Sequence, residues 1–91
     1  MPYKLIYPDS YIKRARKFLR KHTDIHRQYE KALKLLELDP YHPSLRTHKL
    51  EGRLQGLHSV SINMSYRIVL EIEIHNEEII LINIGNHDQV Y

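Results

Sequence analysis

The sequence predicts an α+β fold: an N-terminal helical hairpin packed on one face of a four- or five-stranded, mainly antiparallel sheet. Three observations carry that expectation. Apolar residues recur at helical spacing from Tyr11 to Leu36, the period changes to two from Arg46 onward, and short breaks separate the later apolar runs. With 91 residues the chain has room for one domain, spanning 1–91, and for one modest core.

The elements follow in order. "YKLIY" reads as a short strand stopped by Pro8, after which Asp9 or Ser10 is expected to cap a helix. Its inner positions are Tyr11, Ile12, Ala15, Phe18, Leu19 and His22, while Lys13, Arg14, Arg16, Lys17, Arg20 and Lys21 cover the other side. Thr23 is placed to cap a second helix with Ile25, Tyr29, Ala32, Leu33 and Leu36 on its buried stripe, ending before the breaker "LDPYHP". Strands are then expected at "THKL", "LHSVSIN", "YRIVLEIEI" and "EIILINI", separated by Gly52 and Gly56, by "NMS" and by "HNE".

Alternation assigns faces. In "YRIVLEIEI", Tyr66, Ile68, Leu70, Ile72 and Ile74 share the side expected to meet the helices, which leaves Arg67, Val69, Glu71 and Glu73 on the open side. Val60 and Ile62 take His58 to the core side. In the last strand Ile80, Ile82 and Ile84 form the expected core set, so Asn83 and, beyond Gly85, His87 emerge beside Arg67.

Composition narrows the functions. The chain has no cysteine, which excludes disulfides and thiolate metal sites. Its longest apolar run, "EIILINIG", is far short of the ~20 residues of a membrane span, and "MPYKLIYPDS" lacks a signal-peptide core, so a cytoplasmic protein is expected. Charge is divided unevenly. Residues 1–53 hold 13 Lys/Arg against 6 Asp/Glu, a balance of +7, and residues 54–91 hold 1 against 5, a balance of −4. A basic half suits either a polyanion, whose neutralised phosphates release counterions, or a solvated helix face.

Seven histidines raise the question of chemistry. His22 and His26 suit surface or packing roles in the hairpin, and His42 and His75 fall in loops. His58, on the core side, reads as a hydrogen-bonded structural histidine. His48 is open to either reading, and His87 has the stronger case for a site. His22 and His26 form the one pair with H-x-x-x-H spacing, but no third ligand accompanies it, so neither metal nor other cofactor is expected. Without a G-x-S-x-G elbow there is no serine-nucleophile signature either.

What remains is a guanidinium, one or two imidazoles, a phenol and a basic surface. That set suits metal-free cleavage of an RNA phosphodiester: a base takes the 2′-OH proton, a cation stabilises the phosphorane charge, and an acid protonates the leaving 5′-oxygen. Histidine serves either proton role near neutral pH, and arginine clamps phosphate.

The strand, helical hairpin and meander, with "SYRIVLEI" on one long strand and "INIGNHDQVY" on the last, resemble the RelE/ParE superfamily of toxins from type II toxin-antitoxin systems. The resemblance spans essentially the whole chain and is greatest to the histidine-using, YafQ-like mRNA interferases. It implies a RelE-like fold and a ribosome-dependent mRNA endoribonuclease that inhibits translation. The implied catalytic residues are His87, from the family's "G-x-H" ending, Arg67 on the scissile phosphate, His48 from "THKLEG", and the closing aromatic Tyr91. Lys13, Arg14, Arg16, Lys17, Arg20, Lys21, Lys49 and Arg53 are then expected to bind RNA on the ribosome. The implied partners are a cognate antitoxin, mRNA in the ribosomal A site and ribosomal RNA, with a free monomer and a hetero-oligomer once the antitoxin binds.

Two positions depart from the YafQ pattern, which has a further histidine and an aspartate where this chain carries Ser61 and Ser65. The third-strand lysines of RelE proper are also absent. The general base is therefore open, with His48 the candidate by elimination. Two other functions fit the same fold: a ParE-like inhibitor of DNA gyrase, which needs no histidine in its tail, and a basic RNA-binding module without activity.

Overall fold

Pro8 ends the first strand and begins the first helix. The computed structural model describes residues 2–91, in which β1 (Lys4–Ile6) leads through Pro8 into α1 (Asp9–Lys21). Pro8 itself occupies the cap position, with φ −59° and ψ 152°, and its carbonyl accepts the Ile12 N–H at 3.0 Å. Neither Asp9 nor Ser10 is the cap, which corrects the expectation: the proline ring has already fixed an extended geometry one residue earlier. Asp9 lies in the first turn, where a carboxylate opposes the positive end of the helix dipole.

The second helix also starts later than its sequence suggests. Thr23–Ile25 form a 3₁₀ turn, α2 runs His26–Leu38 with Ile25 at its cap, and Thr23 makes no side-chain cap bond. The tight turn carries Ile25 into the core, where it is buried. His26 Nε2 donates to the Leu19 carbonyl at 2.9 Å, tying the hairpin across this turn. Deeper in, the hydroxyls of Tyr11 and Tyr29 meet at 2.8 Å and join the two helices inside the core. Burial raises the ionisation of both phenols above its usual range, so they stay neutral hydrogen-bonding groups.

After α2, the chain forms β2 (His48–Lys49), β3 (His58–Ser61), β4 (Tyr66–Glu73), β5 (Glu78–Asn86) and a one-turn helix α3 (His87–Val90). The five strands make one sheet in the order β1-β5-β4-β3-β2, antiparallel except for the parallel β1–β5 pair. The parallel pair requires a long crossover, which the rest of the chain supplies.

Val60, Ile62, Ile68, Leu70, Ile79, Leu81 and Ile84 form one buried cluster with Tyr11, Ala15, Phe18, Ile25, Tyr29, Ala32 and Leu36 of the helical hairpin. The helices therefore cover the side assigned to them by Ile68 and Leu70. Burying an apolar side chain of this size contributes roughly 1.5–3 kcal/mol, which is why alternation decides register so firmly.

Two face assignments are overturned. In β5 the core residues of the first half are Ile79 and Leu81, both fully buried, while Ile80 and Ile82 are only partly buried. The cause is a bulge: Val69 pairs with Asn83 but Leu70 pairs with Leu81, so Ile82 is an extra residue in β5 and the alternation changes phase there. Beyond it Ile84 returns to the core, as its spacing predicts. Ile74 is also not a core residue. β4 ends at Glu73, and Ile74 enters the turn to Glu77, whose φ is +53°, leaving it 61% exposed.

Candidate functional site

The register lays the open side of the sheet out row by row. Ser61, Arg67 and Gly85 are paired across β3, β4 and β5, and the next row of the same side reads His48, Ser59, Val69 and Asn83. Arg67 and His48, from strands separated by β3, thus share a side. Arg67 Nη1 lies 3.4 Å from the Ser61 hydroxyl, and its Nε is closed off from solvent with no protein partner. The Arg67 side chain as a whole stays partly exposed, so the guanidinium donors beyond Nε are the ones an anion could reach.

The tail does not fray. Asn86 caps α3 by accepting the Gln89 N–H at 2.9 Å, and Gln89 Oε1 accepts the Asn86 N–H at 2.8 Å, a reciprocal capping box. Gly85 makes room for that box. A Cβ on residue 85 would stand 2.7 Å from Gln89 Oε1 and 2.9 Å from Gln89 Cβ.

One turn of helix then returns the chain over the open side. Val69 and Val90 are both buried yet lie outside the main core cluster. They form a small second layer where α3 covers β4 and β5. At the end of the turn the Tyr91 hydroxyl donates to the Ser59 hydroxyl at 2.5 Å, and Arg53 donates to the Tyr91 main-chain oxygen.

His87 begins α3, and its ring meets the Tyr91 ring edge to face with centroids 4.4 Å apart. It remains open to a substrate, with its side chain 69% exposed. Its Nδ1 is 3.7 Å from the exposed Asp88 carboxylate, which can accompany an imidazolium. Ser59 and Ser61 are two residues apart on β3, roughly 7 Å. Tyr91 and Arg67 are therefore tied to neighbouring points of one strand face.

His48 pairs with Ser59 across the β2–β3 ladder, which puts their Cβ atoms about 4.5–5.5 Å apart. Its Nδ1 is 3.2 Å from the Arg46 carbonyl. A carbonyl only accepts, so Nδ1 is the donor of this contact, and in the neutral ring Nε2 is then the nitrogen with the lone pair. That is the tautomer a proton acceptor needs.

Not every candidate joins this cluster. Lys49 pairs with His58, so it belongs to the opposite side of the sheet from His48. Arg53 is engaged by the tail. Lys13, Arg14, Arg16, Lys17, Arg20 and Lys21 are all exposed on α1, across the sheet from Arg67. Ser65 lies in the β3–β4 turn, where its N–H and that of Tyr66 donate to Asn63 Oδ1.

His58 departs from its expected hydrogen-bonded state. Both ring nitrogens are shut off from solvent without a partner, and the ring stands edge-on to Tyr41 at 6.3 Å. Burial first, and then Lys49 and His48, hold its protonation below the usual histidine range. Among the described residues, no group of three or more His, Cys, Asp or Glu side chains converges as a metal-ligand set. No helix is long and apolar enough to cross a membrane.

Ser59, the contact of Arg53 with Tyr91 and the Asn86–Gln89 box were not foreseen from the sequence. The box was legible as Asn-x-x-Gln. The other two depend on contacts 32 and 38 residues apart, for which the sequence holds no local signal.

No protein-family model matches the chain, and no curated protein does. Solved structures match over nearly its whole length. A copper-bound mutant toxin from Helicobacter pylori shares 25% identity at a TM-score of 0.75, with all of both chains covered. YafQ from E. coli shares 12% identity at a TM-score of 0.80, covering 98% of each chain. YafQ in the E. coli DinJ-YafQ toxin-antitoxin complex shares 14% at 0.78, covering all of this chain and 99% of that one. The chain has the α+β fold of the RelE/ParE toxin superfamily, and toxins of the YafQ type are among the structures it matches.

Proposed function

We propose that this chain is the toxin of a type II toxin-antitoxin pair and an endoribonuclease that cuts mRNA on the ribosome. The observation that carries the reading is the open-side cluster. A partly exposed guanidinium, an exposed imidazole braced by a tyrosine, and a second imidazole whose Nδ1 is engaged by a carbonyl lie toward one sheet face.

In the reaction, Nε2 of His48 takes the proton of the 2′-OH, and the 2′-oxygen attacks the adjacent phosphorus. Arg67 holds the charge that builds on the non-bridging oxygens. The bond from phosphorus to the 5′-oxygen then breaks, and His87 gives that oxygen its proton. The products are a 2′,3′-cyclic phosphate and a 5′-hydroxyl end, and no step needs a metal ion. Tyr91 orients the substrate base and braces His87.

The exposed cations of α1 supply affinity for ribosomal RNA in this reading, and the action belongs in the cytoplasm. The matched DinJ-YafQ toxin-antitoxin complex supports a cognate antitoxin as the partner. In this reading the antitoxin silences the chain, which is a monomer when free. The test is to induce the chain in a bacterial host and map mRNA 5′ ends by primer extension. New ends inside reading frames are expected. DNA breaks with intact mRNA would replace this reading with gyrase inhibition.

A further inference from the structure

β5 is paired with β4 from Glu78 to Asn86 except at the bulged Ile82, but on its other edge only at Glu78–Ile80, where β1 lies. The stretch from Leu81 to Asn86 has no strand on that edge. α1 runs beside it, and Arg14 Nη1 donates to the Ile82 carbonyl at 3.1 Å, capping the bulged residue. Between α1 and α3 this leaves a groove of about 250 Å³, lined by Arg14, Lys17, Phe18, Lys21 and His22 on one side and by Asn83, Ile84 and Gln89 on the other.

The composition of the groove is one-sided. Three cations line it and no carboxylate does. Asn83 Oδ1 accepts the Ile84 N–H and Gln89 Oε1 accepts the Asn86 N–H, so both amides offer their NH₂ groups to a ligand. Cations with amide donors suit an acceptor-only group such as a phosphodiester. Its two apolar lining residues, Phe18 and Ile84, are only 7% and 5% exposed, so it gives little for an amphipathic protein segment to bury.

Position connects the groove to the candidate site. Gln89 follows His87 by two residues on α3, about 3 Å along the axis and about 200° around it. One turn of helix therefore presents His87 to the site and Gln89 to the groove. On α1, Arg14, Lys17 and Lys21 are spaced i, i+3, i+7 and border the buried stripe of Tyr11, Ala15 and Phe18, whereas Lys13, Arg16 and Arg20 turn away from it.

We infer that this groove holds the sugar-phosphate backbone of the RNA strand beside the bond that is cut. The inference rests on the ribonuclease reading for its substrate, and it separates two groups among the six α1 cations. Arg14, Lys17 and Lys21 track the substrate strand. Lys13, Arg16 and Arg20 face outward.

The test uses the full chain and a short, fully 2′-O-methylated RNA, which lacks the attacking hydroxyl and cannot be cut. Its binding is followed by fluorescence anisotropy against salt, for wild type, Lys17→Glu/Lys21→Glu and Arg16→Glu/Arg20→Glu, two pairs of equal charge change. Loss of two phosphate contacts should lower the slope of log K against log salt by about 1.4 in the first pair, while the second keeps the wild-type slope. In NMR spectra of the wild type, the side-chain amide signals of Asn83 and Gln89 should move as the RNA is added. Equal slope losses in both pairs, or amide signals that stay still, would overturn the groove. Movement caused by a poly-glutamate peptide and not by the RNA would make it a protein-binding site instead. Because the probe cannot be cleaved, intact groove binding with no mRNA cleavage in cells would remove only the nuclease reading.

Discussion

The hydroxyl of Tyr91 donates to the hydroxyl of Ser59, a residue fully buried in the middle of β3, across 32 positions of sequence. This bond anchors the last residue of the chain to the sheet and holds the ring against which His87 stands. Tyr91→Phe therefore does more than remove a polar tip, because it strips a buried hydroxyl of its partner. A double-mutant cycle with Ser59→Ala should give a coupling of about 0.5–1.5 kcal/mol, read from thermal or denaturant unfolding. Additive single losses would mean that the bond contributes nothing to holding the tail.

Gly85→Ala tests the same anchor from the other end. The added methyl would meet Gln89 at 2.7–2.9 Å and force the capping box apart. The expected outcome is faster amide exchange in residues 86–91 and weakened cleavage, with the protection of Ile68 and Leu70 unchanged. Wild-type exchange in the tail would show that the helix turn tolerates the contact.

In the proposed reaction Arg67 supplies geometry as well as charge. Arg67→Ala should lower the cleavage rate by about 10²- to 10³-fold, the usual consequence of losing one group that stabilises transition-state charge. Arg67→Lys should recover only part of it, since an ammonium cannot reproduce the planar fork that bridges phosphate oxygens. Full activity in the lysine variant would reduce the residue to a point charge.

His58 gives stability a pH dependence. Its protonated form is disfavoured in the folded chain by burial and by Lys49 and His48, so the unfolded chain binds the proton more readily. Stability is then unaffected well above the ordinary histidine range, and it falls as pH drops below that range toward the lower folded value. His58→Phe should flatten this acid limb in unfolding curves taken at stepped pH. An identical limb in the variant would transfer the effect to other groups.

The sequence was informative wherever one face of an element met the core. Ile68 and Leu70 against Arg67, and Tyr11, Ala15 and Phe18 against the α1 cations, differ enough in burial energy for periodicity to separate them. It misled at Ile80 and Ile82 because every residue from Ile79 to Ile82 is apolar. With no polar residue to mark the bulge, alternation has nothing to reveal a change of phase. The site was legible in part. Arg67 could be assigned a side from its strand, with His87 expected beside it, but the tail folds back through Val90, Tyr91, Ser59 and Arg53, and such returns depend on contacts that no local pattern encodes.

His87 is the residue on which the proposed chemistry most depends, and single-turnover cleavage of ribosome-bound mRNA measures its part directly. With the fold checked by circular dichroism, His87→Ala should cut about 10²- to 10⁴-fold more slowly than wild type, as expected for the loss of one general acid. Cleavage by the folded variant at the wild-type rate would contradict the assignment and leave His87 a tail residue, with the proton donor to be sought first at His48.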